Sequence, residues 1–360
     1  MKYTKIVDED VENIIKEYGA NDFAKTMKDK TLLVTGASGM IGSYLCYTVL
    51  KLNELFDTNS KVIACVRHPE KLDEKIRNDK NVKVVIQDVV NDFNIEDNID
   101  FIIHAASPAS PKIMKEKPVE TNLANTLGAI NTLKLAKDKN VSSYMFVSSR
   151  EIYGEPNEGQ EFFFEEGPLG QVNPLVPRNG YAEGKKAAEN LCVSYKEEYG
   201  LNTKIVRPAH TYGPGMSIYD GRVQADFLND VMHNRNIIMK SDGSSIRSYT
   251  YISDVISAMF IILLKSKDVV YNAANIDGKV SIKELAQTLV DLAPDKNTKL
   301  IMDIPKEAQK GTASFTGGII NSEKLIKETG WFPKYSVRDG FARTIEHLKD
   351  ELKENKKKQK

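Results

Sequence analysis

Apolar residues recur along this chain in short, dense runs. Thr31-Leu32-Leu33-Val34-Thr35 is the first. Lys61 to Val66, Val82 to Ile86, Ile99 to His104 and Tyr144 to Ser148 follow. Each run is rich in β-branched residues, which predicts a strand. Near-continuous apolar strands are buried on both faces, as in a parallel sheet. Helical stretches separate several of them, the first running from the turn at Gly36–Gly42 through Leu50. Ahead of the first strand, Val11, Ile14, Ile15 and Tyr18 fall at helical spacing within residues 8 to 18, with Gly19 as the stop.

Alternation of strand and helix predicts an α/β protein of Rossmann type, a doubly wound parallel sheet with helices on both faces. The second half changes character. Ser281 to Leu292 reads as a helix opened by a capping box, Ser281 with Glu284. Short strands and long irregular segments surround it, Tyr212 to Gly221 among them. This is the pattern of a smaller mixed α/β lobe for substrate. The expected division is a helical extension over 1–28, a dinucleotide-binding domain over 29–205, a substrate lobe over 206–347 with chain crossovers, and a charged tail over 348–360. The extension packs on the core or on a second subunit. The tail from Glu354 is almost wholly charged or polar and reads as disordered.

Charge and composition narrow the partners. Lys plus Arg number 50 and Asp plus Glu number 50. With no net field, neither nucleic acid nor an acidic or basic macromolecule is the expected partner. Asp8-Glu9-Asp10 stands where a secretory leader would be apolar, and no apolar run approaches the roughly 20 residues of a membrane span. Cys46, Cys65 and Cys192 lie in apolar surroundings without C-x-x-C spacing, which predicts core packing, no metal site and a reducing cytoplasm.

Two constellations carry chemistry. Gly36-Ala37-Ser38-Gly39-Met40-Ile41-Gly42 follows a strand and opens a helix. Glycines there let the backbone approach a pyrophosphate, and the helix N-terminus offers free N–H groups. Tyr181 and Lys185 lie one helical turn apart. A cation favours the phenolate, so Tyr181 can serve as a general base. Ser149 ends the fifth predicted strand, where such sheets hold their ligands, within reach of the same reacting oxygen.

Together these features resemble the extended short-chain dehydrogenase/reductase superfamily over residues 30 to 345. The matching pieces include Thr35-Gly36-x-x-Gly39-x-x-Gly42, Asp88-Val89, His104-Ala105-Ala106 and Asn125-x-x-Gly128. They continue with Ser148-Ser149, Ile152-Tyr153-Gly154, Tyr181-x-x-x-Lys185, Arg207-Pro208, Tyr212-Gly213-Pro214 and Gly330-Trp331-x-Pro333. The resemblance implies bound NAD(P), held by the glycine turn with Asp88, Val89, Ala105, Ala106, Ser107, Tyr181 and Lys185. Asp88 would meet the adenine and Asn125 would support the active site. Ser149, Tyr181 and Lys185 would be the catalytic triad, and relatives pair as homodimers through two long helices, here Leu123–Asp138 and Tyr181–Tyr199. Trp331 and Pro333 are read as packing.

A narrower likeness is to UDP-glucuronate decarboxylases. It rests on Ala106-Ser107-Pro108-Ala109-Ser110-Pro111, Val172-Asn173-Pro174, Pro177-Arg178, Glu183-Gly184-Lys185 and Asp220-Gly221-Arg222-Val223. Ser149-x-Glu151-x-Tyr153-Gly154 is similar both to these and to sugar-nucleotide 4,6-dehydratases. Such enzymes oxidise C4 of a nucleotide-linked sugar, act on the ketone and return the hydride. Glu151 is then the expected base at C5. Ser107, Arg178, His210, Arg222 and Arg247 are expected at the substrate, the last two at phosphate or ribose. Three positions depart from the pattern. Arg150 stands where decarboxylases carry a small hydroxyl residue and dehydratases an Asp. His210 replaces a common asparagine, and Lys240 a common aromatic residue. At the end of the second strand, Arg67 stands where NAD-users carry an acid, which favours NADP. The rivals are a plain NADPH-dependent ketoreductase and a non-catalytic dinucleotide sensor, the second disfavoured by Tyr181 and Lys185.

Overall fold

The computed structural model of the chain describes residues 1–167, 169–305 and 318–358. The five predicted strands all form, as β1 (Thr31–Thr35), β2 (Lys61–Val66), β3 (Val82–Ile86), β4 (Phe101–His104) and β5 (Ser143–Val147). A sixth, β6 (Thr203–Pro208), joins them. Two strands that come next, β7 (His210–Tyr212) and β8 (Ile246–Tyr251), pair beside the main sheet rather than in it. The chain then returns, and β9 (Val270–Ala273) completes a seven-stranded sheet in the order β9-β6-β5-β4-β1-β2-β3. Every pairing in this sheet is parallel. A further short strand, β10 (Lys279–Ser281), adds to β8 antiparallel.

Alternate side chains of each strand serve opposite layers. Leu32 and Val34 face one core, which α3 (Met40–Phe56) and α7 (Ile252–Lys265) cover. Leu33, Ile102, Tyr144 and Phe146 face the other, against Ala129 and Leu133 of α4 (Pro118–Asp138) and Ala188 and Cys192 of α5 (Gly180–Tyr199). α3 runs past Leu50 to Phe56 and ends on Asp57 in the left-handed region at φ 50°. α6 (Val223–Met232), α8 (Ile282–Leu292) and α9 (Val337–Lys358) belong to the second half of the chain. The predicted capping box of α8 is present, with Ser281 and Glu284 exchanging both bonds.

The N-terminal helix α1 (Lys5–Tyr18) is longer than its apolar spacing predicted. Gly19, at φ 94°, breaks it from a second helix, α2 (Ala20–Met27). Val7, Val11, Ile14, Ile15 and Tyr18 join the largest core cluster, so this segment packs on the protein's own core. Asp10, wholly buried, fastens it electrostatically. Its Oδ2 accepts from the Tyr44 hydroxyl at 2.8 Å and the Tyr251 hydroxyl at 2.7 Å. Its Oδ1 accepts from Arg343 Nε at 3.0 Å and Nη2 at 2.7 Å. One carboxylate thus ties α1 to α3, to the end of β8 and to α9.

The tail differs from expectation. α9 does not stop before Glu354 but stays helical to Lys358. Val337, Phe341, Ile345 and Leu348 are buried and nucleate it, and the Lys- and Glu-rich continuation propagates a helix at little cost. The three cysteines are buried and unpaired. Trp331 is buried with Nε1 donating to Ser257 Oγ at 3.0 Å, a packing role. No helix among the described residues is long and apolar enough to cross a membrane.

Removing one partner of a buried ionic cluster costs about 3–5 kcal/mol, because the others stay buried without it. Asp10→Ala is therefore expected to lose stability of that order, read as a lower urea midpoint with little change in slope. A loss below about 1 kcal/mol would show that α1 is held by its apolar face alone.

Candidate active site

Connections part at the carboxyl ends of β1, β4, β5 and β6, the place where open parallel sheets bind ligands. A cleft of about 1240 Å³ opens there. Its floor is the glycine turn. Gly36 takes φ 69°, and a Cβ there would lie 2.9 Å from Ala106 Cα. A Cβ on Gly42 would lie 2.2 Å from the Gly36 carbonyl oxygen, so only glycine lets α3 start so close to β1. Gly39 caps α3 in extended conformation, and Gly39, Met40 and Ile41 line the cleft with the first N–H groups of the helix. The turn after β4 is held by one hydroxyl. Thr35 Oγ1 accepts from the backbone N–H of Ala105 and of Ala106, each at 3.1 Å. It also meets His104 Nδ1 at 2.8 Å. Having accepted twice, Thr35 gives its proton to Nδ1, which leaves His104 neutral with its hydrogen on Nε2. Burial acts in the same direction, pushing His104 down to about 3.

Ser149 caps the 3-10 turn Arg150–Tyr153 at the end of β5, its Oγ accepting from Glu151 N at 3.2 Å. Tyr181 and Lys185 enter from the first turns of α5, and the Ser149 hydroxyl is close enough to act on the Tyr181 phenol. The electrostatics differ from the sequence expectation. Burial pushes Tyr181 up to about 12, and the Ser149 hydroxyl offsets only part of this. Lys185 does not face the phenol oxygen. Its Nζ donates to the Val147 carbonyl at 2.6 Å, and burial pushes it down to about 7. Lys185 therefore does little for the phenolate in this arrangement.

The cleft is also cationic. Arg150, Arg178, Arg222 and Arg247 all line it, against the carboxylates of Glu151 and Glu155. Glu151 is gripped from two sides, Oε1 by Arg150 at 3.5 Å and Oε2 by Arg178 at 3.4 Å. Arg222 pairs with Asp220, its Nε at 2.8 Å. Arg247 donates to Ser245 Oγ at 2.9 Å and to the Ile246 carbonyl at 2.8 Å. His210 reaches the Ser248 carbonyl through Nδ1 at 3.3 Å. A carbonyl only accepts, so Nδ1 carries the hydrogen and Nε2 is a lone-pair acceptor. Burial first, then Arg150, hold His210 well below its ordinary range and neutral.

Several expected residues sit elsewhere. Ser38 is half-buried in the turn, off the cleft wall. Arg67 and Asp88 lie at the outer sheet edge and face each other at 3.7 Å, both well exposed. Val89 is buried beside Gly128 of α4, and its carbonyl accepts from Asn131 Nδ2 at 2.9 Å. Asn125 is buried where α4 meets α5, Nδ2 bonded to the Thr121 carbonyl at 2.9 Å. Ala105 and Ser107 do line the cleft. Lys240 pairs with Asp303 at the surface. Sequence reasoning passed over Tyr249 and Gln224, which line the cleft as well. Tyr249 follows Arg247 by two in one strand, the spacing that puts both on one face. Among the described residues, the Tyr249 hydroxyl, Gln224 Nε2, Ser107 Oγ and Asn125 Oδ1 are buried without a hydrogen-bond partner.

The sequence profile of the NAD dependent epimerase/dehydratase family matches residues 32–276. The chain belongs to that family. It is 30% identical to UDP-glucuronic acid decarboxylase 6 of Arabidopsis thaliana over 320 residues, 86% of either chain. The crystal structure of UDP-glucose 4-epimerase from Thermotoga maritima with UDP-glucose superposes with a TM-score of 0.73 at 22% identity, over 89% of this chain and 99% of that one. That of dTDP-glucose 4,6-dehydratase from Bacillus anthracis with NAD gives 0.71 at 21%, over 89% and 97%. These two likenesses establish the fold. Family membership makes the chain an enzyme that uses a nicotinamide dinucleotide, and the glycine turn has the space and the exposed N–H groups that its pyrophosphate needs.

Lys185 supplies a test by linkage. A lysine whose folded pKa is depressed binds its proton more tightly in the unfolded chain, so stability rises with pH between the two values. The window runs from about 7 in the fold to the ordinary 10.5. The rise amounts to up to about 5 kcal/mol. Lys185→Met should raise the unfolding midpoint at pH 6 and flatten its rise between pH 7 and 10. An unchanged slope would mean that Lys185 is not the buried base of this cleft.

Proposed function

We propose that the chain converts a nucleoside-diphosphate sugar by oxidation at C4, a step on the 4-ketone, and return of the hydride. The supporting observation is the chemistry of the cleft. It brings Ser149, Tyr181 and Lys185 together with four arginines, and Ser107, Gln224 and Tyr249 of its lining carry buried polar atoms without partners. Arginine forks suit a diphosphate, and buried polar groups without partners suit a polyhydroxylated ring.

When bound, the nicotinamide takes up and gives back the C4 hydride, and its positive ring favours the Tyr181 phenolate. In this proposal the glycine turn and the start of α3 hold the pyrophosphate, and Ala105 and Ser107 border the dinucleotide. Tyr181 takes the proton from O4, and Ser149 steadies the oxygen as a carbonyl forms. Lys185 is positioned to turn from Val147 to the nicotinamide ribose. Arg222 and Arg247 bind the diphosphate, and His210 Nε2 accepts from a sugar hydroxyl. Glu151 removes the C5 proton, which the neighbouring ketone acidifies. NADP is preferred over NAD, because Arg67 can leave Asp88 for a 2′-phosphate and no carboxylate at the end of β2 awaits a free ribose. Mass spectrometry of ligand released from the purified protein should then find NADP(H), and bound NAD(H) instead would reverse that preference. Decarboxylation of UDP-glucuronic acid is the second reading, favoured by the names of the curated relatives. Release of carbon dioxide from that sugar nucleotide would establish it.

Two substitutions separate the steps. Tyr181→Phe should bind cofactor normally and lose turnover by about 10³-fold or more. Glu151→Gln should still give the absorbance of reduced cofactor on adding substrate, yet make product at least about 100-fold more slowly. Normal product formation by Glu151→Gln would move the C5 base elsewhere. Net consumption of NADPH in each turnover would point instead to a ketoreductase.

We also propose a homodimer. Val119, Leu123, Leu127 and Ile130 make an exposed apolar stripe on α4, beside Val193 on α5. A second copy of the same two helices is the self-complementary cover. Light scattering should report a dimer at micromolar concentration, and Leu127→Glu should shift it to monomer; a monomeric wild-type protein would refute the assembly.

A further inference from the structure

Glu189 lies two helical turns beyond Tyr181 and one beyond Lys185, on the same face of α5. Arg207 comes from β6. The two form a buried fork, Nε to Oε1 at 3.0 Å and Nη2 to Oε2 at 2.6 Å, with side chains 9% and 11% exposed for Arg207 and Glu189. Neither lines the cleft. What they hold is informative. Ser148 Oγ donates to Glu189 Oε1. Arg207 Nη1 donates to the Tyr153 hydroxyl at 2.8 Å, and that hydroxyl donates onward to Asn272 Oδ1 at 2.8 Å. Ser148 and Tyr153 are the two ends of the segment that carries Ser149, Arg150 and Glu151. A single ion pair therefore grips that segment at both ends.

We propose that the Glu189–Arg207 pair is a positioning device for the reaction, locking the Ser149–Glu151 turn onto the helix that carries Tyr181 and Lys185. The inference rests on the reading that Ser149 and Tyr181 perform the first step. Energetics support a geometric role. A buried ion pair adds little net stability over well-packed apolar side chains, whereas its directional bonds select one arrangement. Three elements meet at this pair: β5 through Ser148, β6 through Arg207, and α5 through Glu189. Each of them contributes to the cleft wall, through Ser149, Pro208 and Tyr181 respectively. A slip of an ångström between them would separate Ser149 from Tyr181, and misplacement of that size costs on the order of 100-fold in rate.

The charged and titratable groups facing Lys185 are Tyr181, Glu189 and Cys192 on its own helix and His104 on β4, with Arg207 on β6 behind Glu189. This gives a readout that needs no substrate. Lys185 should be acylated by acetic anhydride with a pH midpoint that mass spectrometry can follow. Glu189→Gln removes an anion and should lower that midpoint. Arg207→Met leaves Glu189 uncompensated and should raise it. Opposite shifts from the two halves of one pair are not produced by general loosening, and shifts of the same sign, or none, would overturn the coupling. Ser148→Ala with Tyr153→Phe cuts both tethers and keeps the ion pair intact. This double variant should bind NADP normally and keep its KM for the nucleotide sugar within about two-fold, with kcat lower by about ten-fold or more. Wild-type kcat in the double variant, with Tyr181→Phe inactive, would refute the positioning role alone. An active Tyr181→Phe would instead refute the reading on which it rests.

Discussion

Everything at the site depends on how β1 and β4 end. They are neighbours in the sheet, yet their chains leave in opposite directions, and a ligand can enter only where they part. The separation is small, for Gly36 touches the backbone of Ala106 with no room for a Cβ. Thr35 fixes it. Its hydroxyl satisfies two backbone N–H groups of the β4 turn and the ring of His104 at once. Buried backbone donors must find partners, and a turn this tight leaves few candidates. The glycines and the threonine thus solve one problem together: the glycines remove bulk, and the hydroxyl replaces the ladder bonds that end there.

Around this opening, burial dominates the behaviour of Tyr181, His104, His210 and Lys185. It moves Tyr181 up and moves His104, His210 and Lys185 down, so each is pressed toward its neutral form. Neutral side chains can exchange protons with a substrate hydroxyl without first creating a charge in a poor solvent. The arginines of the cleft are the counterpart. They stay charged and require anionic company, which Glu151 and Asp220 supply in part.

The sheet was legible because burial on both faces writes itself into sequence as apolar runs, and each of the five predicted strands matches to within two residues. The glycine spacing likewise announced the turn, since only missing side chains allow that contact. Three things were hidden. α1 looked like an appendage, because nothing in local sequence reveals that Asp10 will meet Tyr44, Tyr251 and Arg343 from distant segments. The direction of the Tyr181 shift was not legible, because spacing alone put the Lys185 ammonium beside the phenol, while the fold turned it to the end of β5. Arg67 and Asp88 each read as a cofactor contact, and the chain pairs them across two strand ends that are far apart in sequence.

Arg150 constrains the step after oxidation. Loss of water from a sugar ketone needs a base for the C5 proton and an acid for the departing hydroxyl. Beside Glu151 the chain offers a guanidinium, which stays protonated in proteins and so cannot deliver a proton to a leaving group and recover it. Elimination would have to recruit its acid from farther away. Arg150 and Arg178 together orient Glu151, each holding one oxygen. On the proposed reading that arrangement suits a carboxylate that lifts a proton from a carbon made acidic by its ketone, and inversion at that carbon needs a second donor to return a proton to the opposite face. Both arginines are also able to trade Glu151 for a charge on the sugar itself, since contacts of 3.5 Å and 3.4 Å are longer than a tight charged hydrogen bond.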